Sequence, residues 1–577
     1  MVEIKKKSVV VYQVFTRLFG NKVKANVPGG TLAANGSAKM NGIDAKVLRH
    51  IRYMGVTHVW YTGIIRHATE TDYSAYGIPR QHPDIVKGKA GSPYAIADYY
   101  DVDPDLAEDV NQRMAEFEAL VERTHQAGMK VIIDFVPNHV AREYRSVCKP
   151  KGVKDLGEDD NPEMGFSPQN NFYYCPGQPF ISPETPHPSP LAPHPYTEFP
   201  AKATGNDCFG NSPSCNDWYE TVKLNYGVDY MAGDNPVSFR TKCCESEIPS
   251  SEKGGGGILT TWKKMLDILL FWAAKGVDGF RCDMVFMVPV AFWRWAIPQV
   301  REQFPQVEFI GEIYDPTIYR QYIAAGFDYL YDKVGMYDCL RDVTCGYRRA
   351  ADITWQWQST DDIRQHMLYF LENHDEQRIA SDFFAGDARK GIPALLVSVL
   401  FGQNPFMLYA GQELGERGMD HEGFSGCDGR TTIFDYWHLD SLEHGYFNRR
   451  KLTAEEKTLM LLYQKILLLK EREKSVSQGD SFDLMYVNPH IGNRQFAFLR
   501  KYKKELLLIV ANFSDEQTEI PVMIPAHAFG FLGISEGEYA ATDLLTEERA
   551  DLNLRADKAV NVSLSPWYGR VYKMKTR

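Results

Sequence analysis

Apolar residues recur at helical spacing through residues 258–275, where Trp262, Met265, Leu266, Leu269, Trp272 and Ala273 share one face. Gly276 closes that helix, and residues 277–283 turn short, apolar and extended. The same alternation runs along much of the chain. Extended runs are predicted at 8–15, 56–61, 130–136, 277–283, 307–312, 327–331, 367–372 and 405–409. Helices are predicted at 44–54, 108–126, 258–275, 290–304, 316–325, 393–401 and 454–472, several of them closed by a glycine. Eight strands, mostly alternating with helices, predict an α/β protein built on a (β/α)8 TIM barrel.

The alternation fails in two places. Residues 62–107 read as an irregular excursion rich in Gly, Pro and Tyr. Residues 141–257 lose periodicity, carry frequent Pro and Gly, and leave through the glycine run at 254–257. They are expected to form a subdomain inserted after strand three, with a β-like piece at 217–224. Beyond 475 the pattern changes to alternating strands with turns, a C-terminal antiparallel β-sandwich domain. The expected domains are 1–140 with 258–474 for the barrel, 141–257 for the insertion, and 475–577 for the β domain.

Composition narrows the partners. The chain has 577 residues, 44% hydrophobic and 24% charged, as in ordinary soluble globular proteins. A net charge of −11 argues against a nucleic-acid or acidic-membrane partner. No apolar run is long enough to span a bilayer. The N-terminal apolar run is short and lacks a small-residue cleavage site, so a cytoplasmic location is the default. A secreted or periplasmic form that had lost its signal peptide would look the same. None of the ten cysteines shows C-x-x-C or zinc spacing, although Cys208 and Cys215 share a loop-like stretch in which they could bridge.

Chemistry concentrates at strand ends, where packing alone would prefer apolar residues. Strand three ends in Asp134-Phe135-Val136-Pro137-Asn138-His139 and strand four in Arg281 and Asp283. Strand five ends in Glu312, and strand seven is followed by Asn373-His374-Asp375. Residues two apart on a strand share a face, so Arg281 and Asp283 point together and Cys282 points away into packing. The Arg favours an ionised Asp, and an oriented carboxylate at a strand mouth is what a covalent nucleophile requires. A purely structural Arg-Asp pair is the alternative.

DFVPNH, GFRCD, the Glu of FIGEIYD, and NHD resemble the four signature stretches of glycoside hydrolase family 13, the α-amylase family. YQVFTRLF, GSPYAIADYYDVDP and MLYAGQE are similar to the family's first strand, the stretch before its third strand, and its eighth strand. The resemblance implies a retaining glycosidase acting on α-1,4-linked glucans or maltooligosaccharides. Asp283 would be the nucleophile, Glu312 the acid and then the base, and Asp375 the third carboxylate, gripping ring hydroxyls. Tyr94 would stack under that sugar, His139 and His374 would hydrogen-bond it, and Arg281 would join this substrate-binding set while holding Asp283. The expected resting state has Asp283 ionised and Glu312 protonated.

The chain departs from the family in several places. Ala95 follows Tyr94 where an Asp is usual, and Phe286 and Met287 replace the Lys-His pair that binds sugar on the leaving-group side in α-amylases. Residues 20–43 hold no Asp or Glu, so a calcium loop there is not expected. Asn138 matches a position that ligates calcium in many relatives. Calcium is therefore possible, its ligands unknown, and no cofactor is required. Aromatics of the insertion, Phe172, Tyr173, Tyr174, Trp218 and Tyr219, are candidates to stack on sugars or to wall the cleft. A transglycosylase would share every catalytic residue, and a non-catalytic binding relative would be expected to lack carboxylates that are present here.

Overall fold

The structure, a computed structural model, describes residues 8–183, 194–230, 258–418, 421, 423–424 and 426–576. Eight parallel strands close into a barrel: β1 Val10–Phe15, β2 His58–Thr62, β3 Lys130–Phe135, β4 Gly279–Cys282, β5 Glu308–Gly311, β6 Tyr329–Tyr331, β7 Met367–Phe370 and β8 Phe406–Tyr409. β1 closes the ring by pairing with both β2 and β8. Every predicted barrel strand is present; the second, His58–Thr62, runs one residue past its expected end, and the others are trimmed by one to three residues.

The pleat divides the barrel into two cores. Val11, Trp60, Ile132, Ile310, Tyr331, Leu368 and Met407 fill the interior, while alternate residues such as Phe280 and Cys282 pack outward against the helices. Gly279, Arg281 and Asp283 belong to the inward column. Arg281 lies in register with Asp134 on β3 and Ile310 on β5.

Packing, rather than capping, holds the helix ahead of β4. Helix Thr260–Ala274 has no side-chain cap at Leu259, yet it buries Trp262, Met265, Leu266, Leu269 and Trp272. Each such side chain contributes about 1.5–3 kcal/mol on burial, against about 1 kcal/mol for a cap. Helix Ala454–Arg472 does both, with a capping box between Thr453 and Glu456.

Three regions differ from the sequence reading. The excursion after β2 contains a two-stranded antiparallel sheet, Ile65–His67 with Ile96–Val102, whose register shifts break strict alternation. Helices Asp338–Cys345 and Asp352–Ser359 occupy the stretch between β6 and β7, where no element was expected; eight residues each are too few for a clear period. Cys208 and Cys215 are both free thiols. The glycine run at 254–257 lies outside the described residues.

The insertion returns to the barrel through His139–Ala141, paired antiparallel with Thr221–Lys223. The C-terminal region forms a six-stranded sheet and a two-stranded sheet, with alternating burial along Thr518–Ile524 and Lys558–Leu564. Phe401 joins this β region to the barrel, with its ring 4.7 Å from Phe498 and 5.1 Å from Phe496. Among the described residues no helix is long and apolar enough to cross a membrane.

Candidate active site

Strand direction puts the carboxyl ends of the adjacent β3, β4 and β5, and of β7 beyond β6, at one mouth, and a cavity of about 280 Å³ opens there. Tyr94, His139, Asp283, Glu312 and Asp375 all line it, together with Met284, Tyr314, Lys87, Trp218, Glu220, Thr221, Ile433 and Phe434. Arg281 and His374 stand one layer below and hold the lining residues.

Arg281 is the hub. Its Nη1 donates to Asp283 Oδ1 at 2.8 Å and its Nη2 lies 2.8 Å from Glu312 Oε2, an ion-pair contact outside hydrogen-bond geometry. Asp134 is 3.6 Å from Nη1. Trp60, Tyr94 and Tyr331 surround the guanidinium at 5.2, 5.3 and 5.5 Å from their ring centres. Burial works against this charge, but Glu312, Tyr331, Tyr94 and Asp283 outweigh it and raise the Arg281 pKa.

Glu312 collects more donors than Asp283. The Met284 N–H donates to Oε2 at 2.9 Å and the Tyr314 hydroxyl donates to Oε1. Met284 adopts a left-handed φ of 44° to present that N–H, a conformation uncommon for a non-glycine residue. Burial first, then the Glu312 charge, raises the Asp283 carboxyl well above its usual range, and Arg281 only partly offsets them. Burial and the Glu312 charge thus work against an ionised Asp283, and the Arg281 contact works for it.

Asp375 is pushed up to about 7 by burial and then by Glu312. Since 38% of its side chain is open to the cleft, solvent screens part of that push. Gln13 donates to His374 Nδ1 at 2.8 Å, which leaves the proton on Nε2, 3.1 Å from Asp375 Oδ2. The Tyr94 hydroxyl bonds the same Nε2, its ring stacks on the imidazole at 5.2 Å, and it reaches Asp134 at 3.3 Å. Burial, then Arg281, drives the His374 pKa far down, so its imidazole stays neutral. His139 is lowered to about 3 by burial and then by Lys223, and Trp218 leans on its ring at 5.2 Å.

The residues match a family model described as the α-amylase catalytic domain over positions 13–181. An α-amylase 3 of Dictyoglomus thermophilum is 22% identical over 492 residues, 82% of this chain and 79% of that protein. Neopullulanase 2 of Thermoactinomyces vulgaris is 21% identical over 543 residues, 90% of this chain and 72% of that one. The crystal structure of a maltogenic α-amylase from Thermotoga neapolitana shares the fold across both whole chains, with a TM-score of 0.60 and 19% identity. Residues 13–181 carry the α-amylase catalytic-domain match, and the chain is a glycoside hydrolase similar to that family's members along most of its length.

Within this α-amylase-family site, sequence reasoning passed over Gln13, Trp60, Met284 and Tyr314. Tyr314 had a readable signal, since it lies two residues after Glu312 and shares its direction. Trp60 and Gln13 had none, because each reads as ordinary strand filling. Of the five insertion aromatics, only Trp218 reaches the cavity. Phe172, Tyr173 and Tyr219 are buried within the insertion, and Tyr174 spends its hydroxyl on Asp160. On the leaving-group side, Met287 is buried, and Phe286 leans toward Tyr314 with ring centres 6.2 Å apart.

Asn138 turns away from the cleft, toward Gly205 and Lys223. Two other groupings among the described residues have ligand types suited to a metal, and both already hold cations of the chain. Asp98, Asp101 and Cys148 face Arg66 and Arg113, and His438, Asp440 and Glu443 face Lys24.

Proposed function

We propose that this enzyme is a retaining α-glycosidase of α-1,4-linked glucans or maltooligosaccharides. The observation that carries the reading is the single guanidinium in contact with both Asp283 and Glu312 on adjacent strands. Retention by double displacement needs two carboxyls about 5 Å apart, flanking one glycosidic bond. In this reading Asp283 attacks the anomeric carbon and forms a glycosyl ester of inverted configuration. Glu312 protonates the departing oxygen, then takes a proton from the water that cleaves the ester. Attack requires charge on Asp283, which the Arg281 hydrogen bond stabilises, and a proton available on Glu312. Asp375, Tyr94 and His374 form one linked platform for the sugar that is being distorted, and His139 supplies a neutral imidazole on its far side.

Chain length follows from the walls. A cavity of about 280 Å³ lies at the low end of small-molecule clefts, which run about 300–1,000 Å³. Trp218 and Thr221 from the insertion and Phe434 from the opposite side narrow it. Short oligosaccharides suit such a site better than polymers that draw affinity from many subsites. The test is kcat/KM on short maltooligosaccharides against soluble starch. Higher efficiency on the short chains is expected, and equal or better efficiency on starch would replace this reading with an endo-acting one.

A further inference from the structure

The Asn138 side chain ties the end of strand three to the inserted segment. Its Nδ2 donates to the Gly205 carbonyl at 2.8 Å, and its Oδ1 accepts from Lys223 Nζ at 2.6 Å. The same ammonium lies 2.9 Å from Asp207 Oδ1, with only 1% of the lysine side chain exposed. Asp207 holds a left-handed φ of 72° as it offers that oxygen. Backbone bonds clamp the surroundings: Lys223 N–H to Ala203 and Leu224 N–H to Asn138, both 2.9 Å. Lys223 is also in register with His139.

We propose that the Lys223 ammonium is the chain's own cation at this seam and takes the place of the divalent ion that the family resemblance allows at Asn138. Calcium takes six to eight oxygens at about 2.3–2.6 Å. An ion bound to Asn138 Oδ1 would sit against an ammonium that already lies 2.6 Å from that oxygen, and like charges in a buried site repel strongly. The lysine also supplies what a bridging cation supplies. It joins an oxygen of the strand-three motif to a carboxylate of the insertion, beside His139 and Thr221 at the cleft. Being covalently attached, it cannot be removed by chelation or diluted away.

The test uses the full-length enzyme and calcium itself. After dialysis against EDTA, metal analysis and thermal unfolding are compared with a sample in excess calcium. No bound calcium and no change in Tm or activity are expected. Stoichiometric calcium, lost with a fall in Tm under EDTA and restored on re-addition, would overturn the proposal. Lys223→Met keeps the stem and removes the charge, and should lower Tm by at least about 2–4 °C. If that variant does not fold, Asp207→Asn, which removes only the partner's charge, should show the same direction of change. Wild-type Tm in Asp207→Asn would equally overturn it.

Discussion

Arg281 and Lys223 are both buried cations within reach of oxygen atoms, each with 1% of its side chain exposed, yet their surroundings differ in balance. Arg281 faces three carboxylates, Asp283, Glu312 and Asp134, with one positive charge. Among the described contacts, Lys223 meets the Asp207 carboxylate and the Asn138 carboxamide. The planar guanidinium spans two carboxylates at once, whereas the ammonium acts as a point charge. Burial first, and then the uncompensated negative charge at the barrel mouth, drives Asp283 upward and Asp375 to about 7. A seam needs neutrality, and a reacting cluster needs a carboxyl poised to exchange its proton. The difference separates a site built to hold from a site built to react.

The sharpest break of that contrast is Asp283→Asn. It removes the nucleophile while keeping shape, so kcat should fall on the order of 10⁴-fold or more, with the circular dichroism spectrum unchanged. Activity above a small percentage of wild type would take Asp283 out of its role. Next comes Arg281→Lys, which puts the seam's type of cation into the reacting cluster. A point charge cannot serve Asp283 and Glu312 together, so kcat/KM should drop about 10²–10³-fold. Near-wild-type activity would erase the distinction between the two cations.

The smallest effect concerns a buried anion served by neither kind of cation. Asp332 is 1% exposed and is met by the backbone N–H groups of Met336 and Gly335. Burial raises its pKa from 3.8 to about 6. A raised carboxyl stabilises the fold below its unfolded pKa, and that contribution is lost as pH climbs through the folded value. Asp332→Asn should therefore raise Tm near pH 8, by about 2–4 °C, and leave it unchanged near pH 4. A lower Tm near pH 8 would show that the carboxylate is stabilised there by something stronger than its backbone donors.

Much of this was legible before the structure. Period-two spacing puts Arg281 and Asp283 in one column, and glycine-punctuated alternation marks all eight barrel strands. Polar residues at strand ends stand out because burial there is otherwise apolar. Lys223 was not legible, since it meets Asn138 across 85 positions of aperiodic sequence. The insertion's aromatics misled for the same reason: without a period nothing told which of Phe172, Tyr173, Trp218 and Tyr219 would face the cleft. The Met284 N–H that meets Glu312 was not legible either, because it comes from backbone geometry, which composition does not show.

Retention is the central claim, and proton NMR of the first-formed product tests it most directly. During early hydrolysis of a maltooligosaccharide, before mutarotation, the new reducing end should appear as the α-anomer. An initial β-anomer would mean single displacement by water, and Asp283 and Glu312 could not then act as the nucleophile and acid of a double displacement.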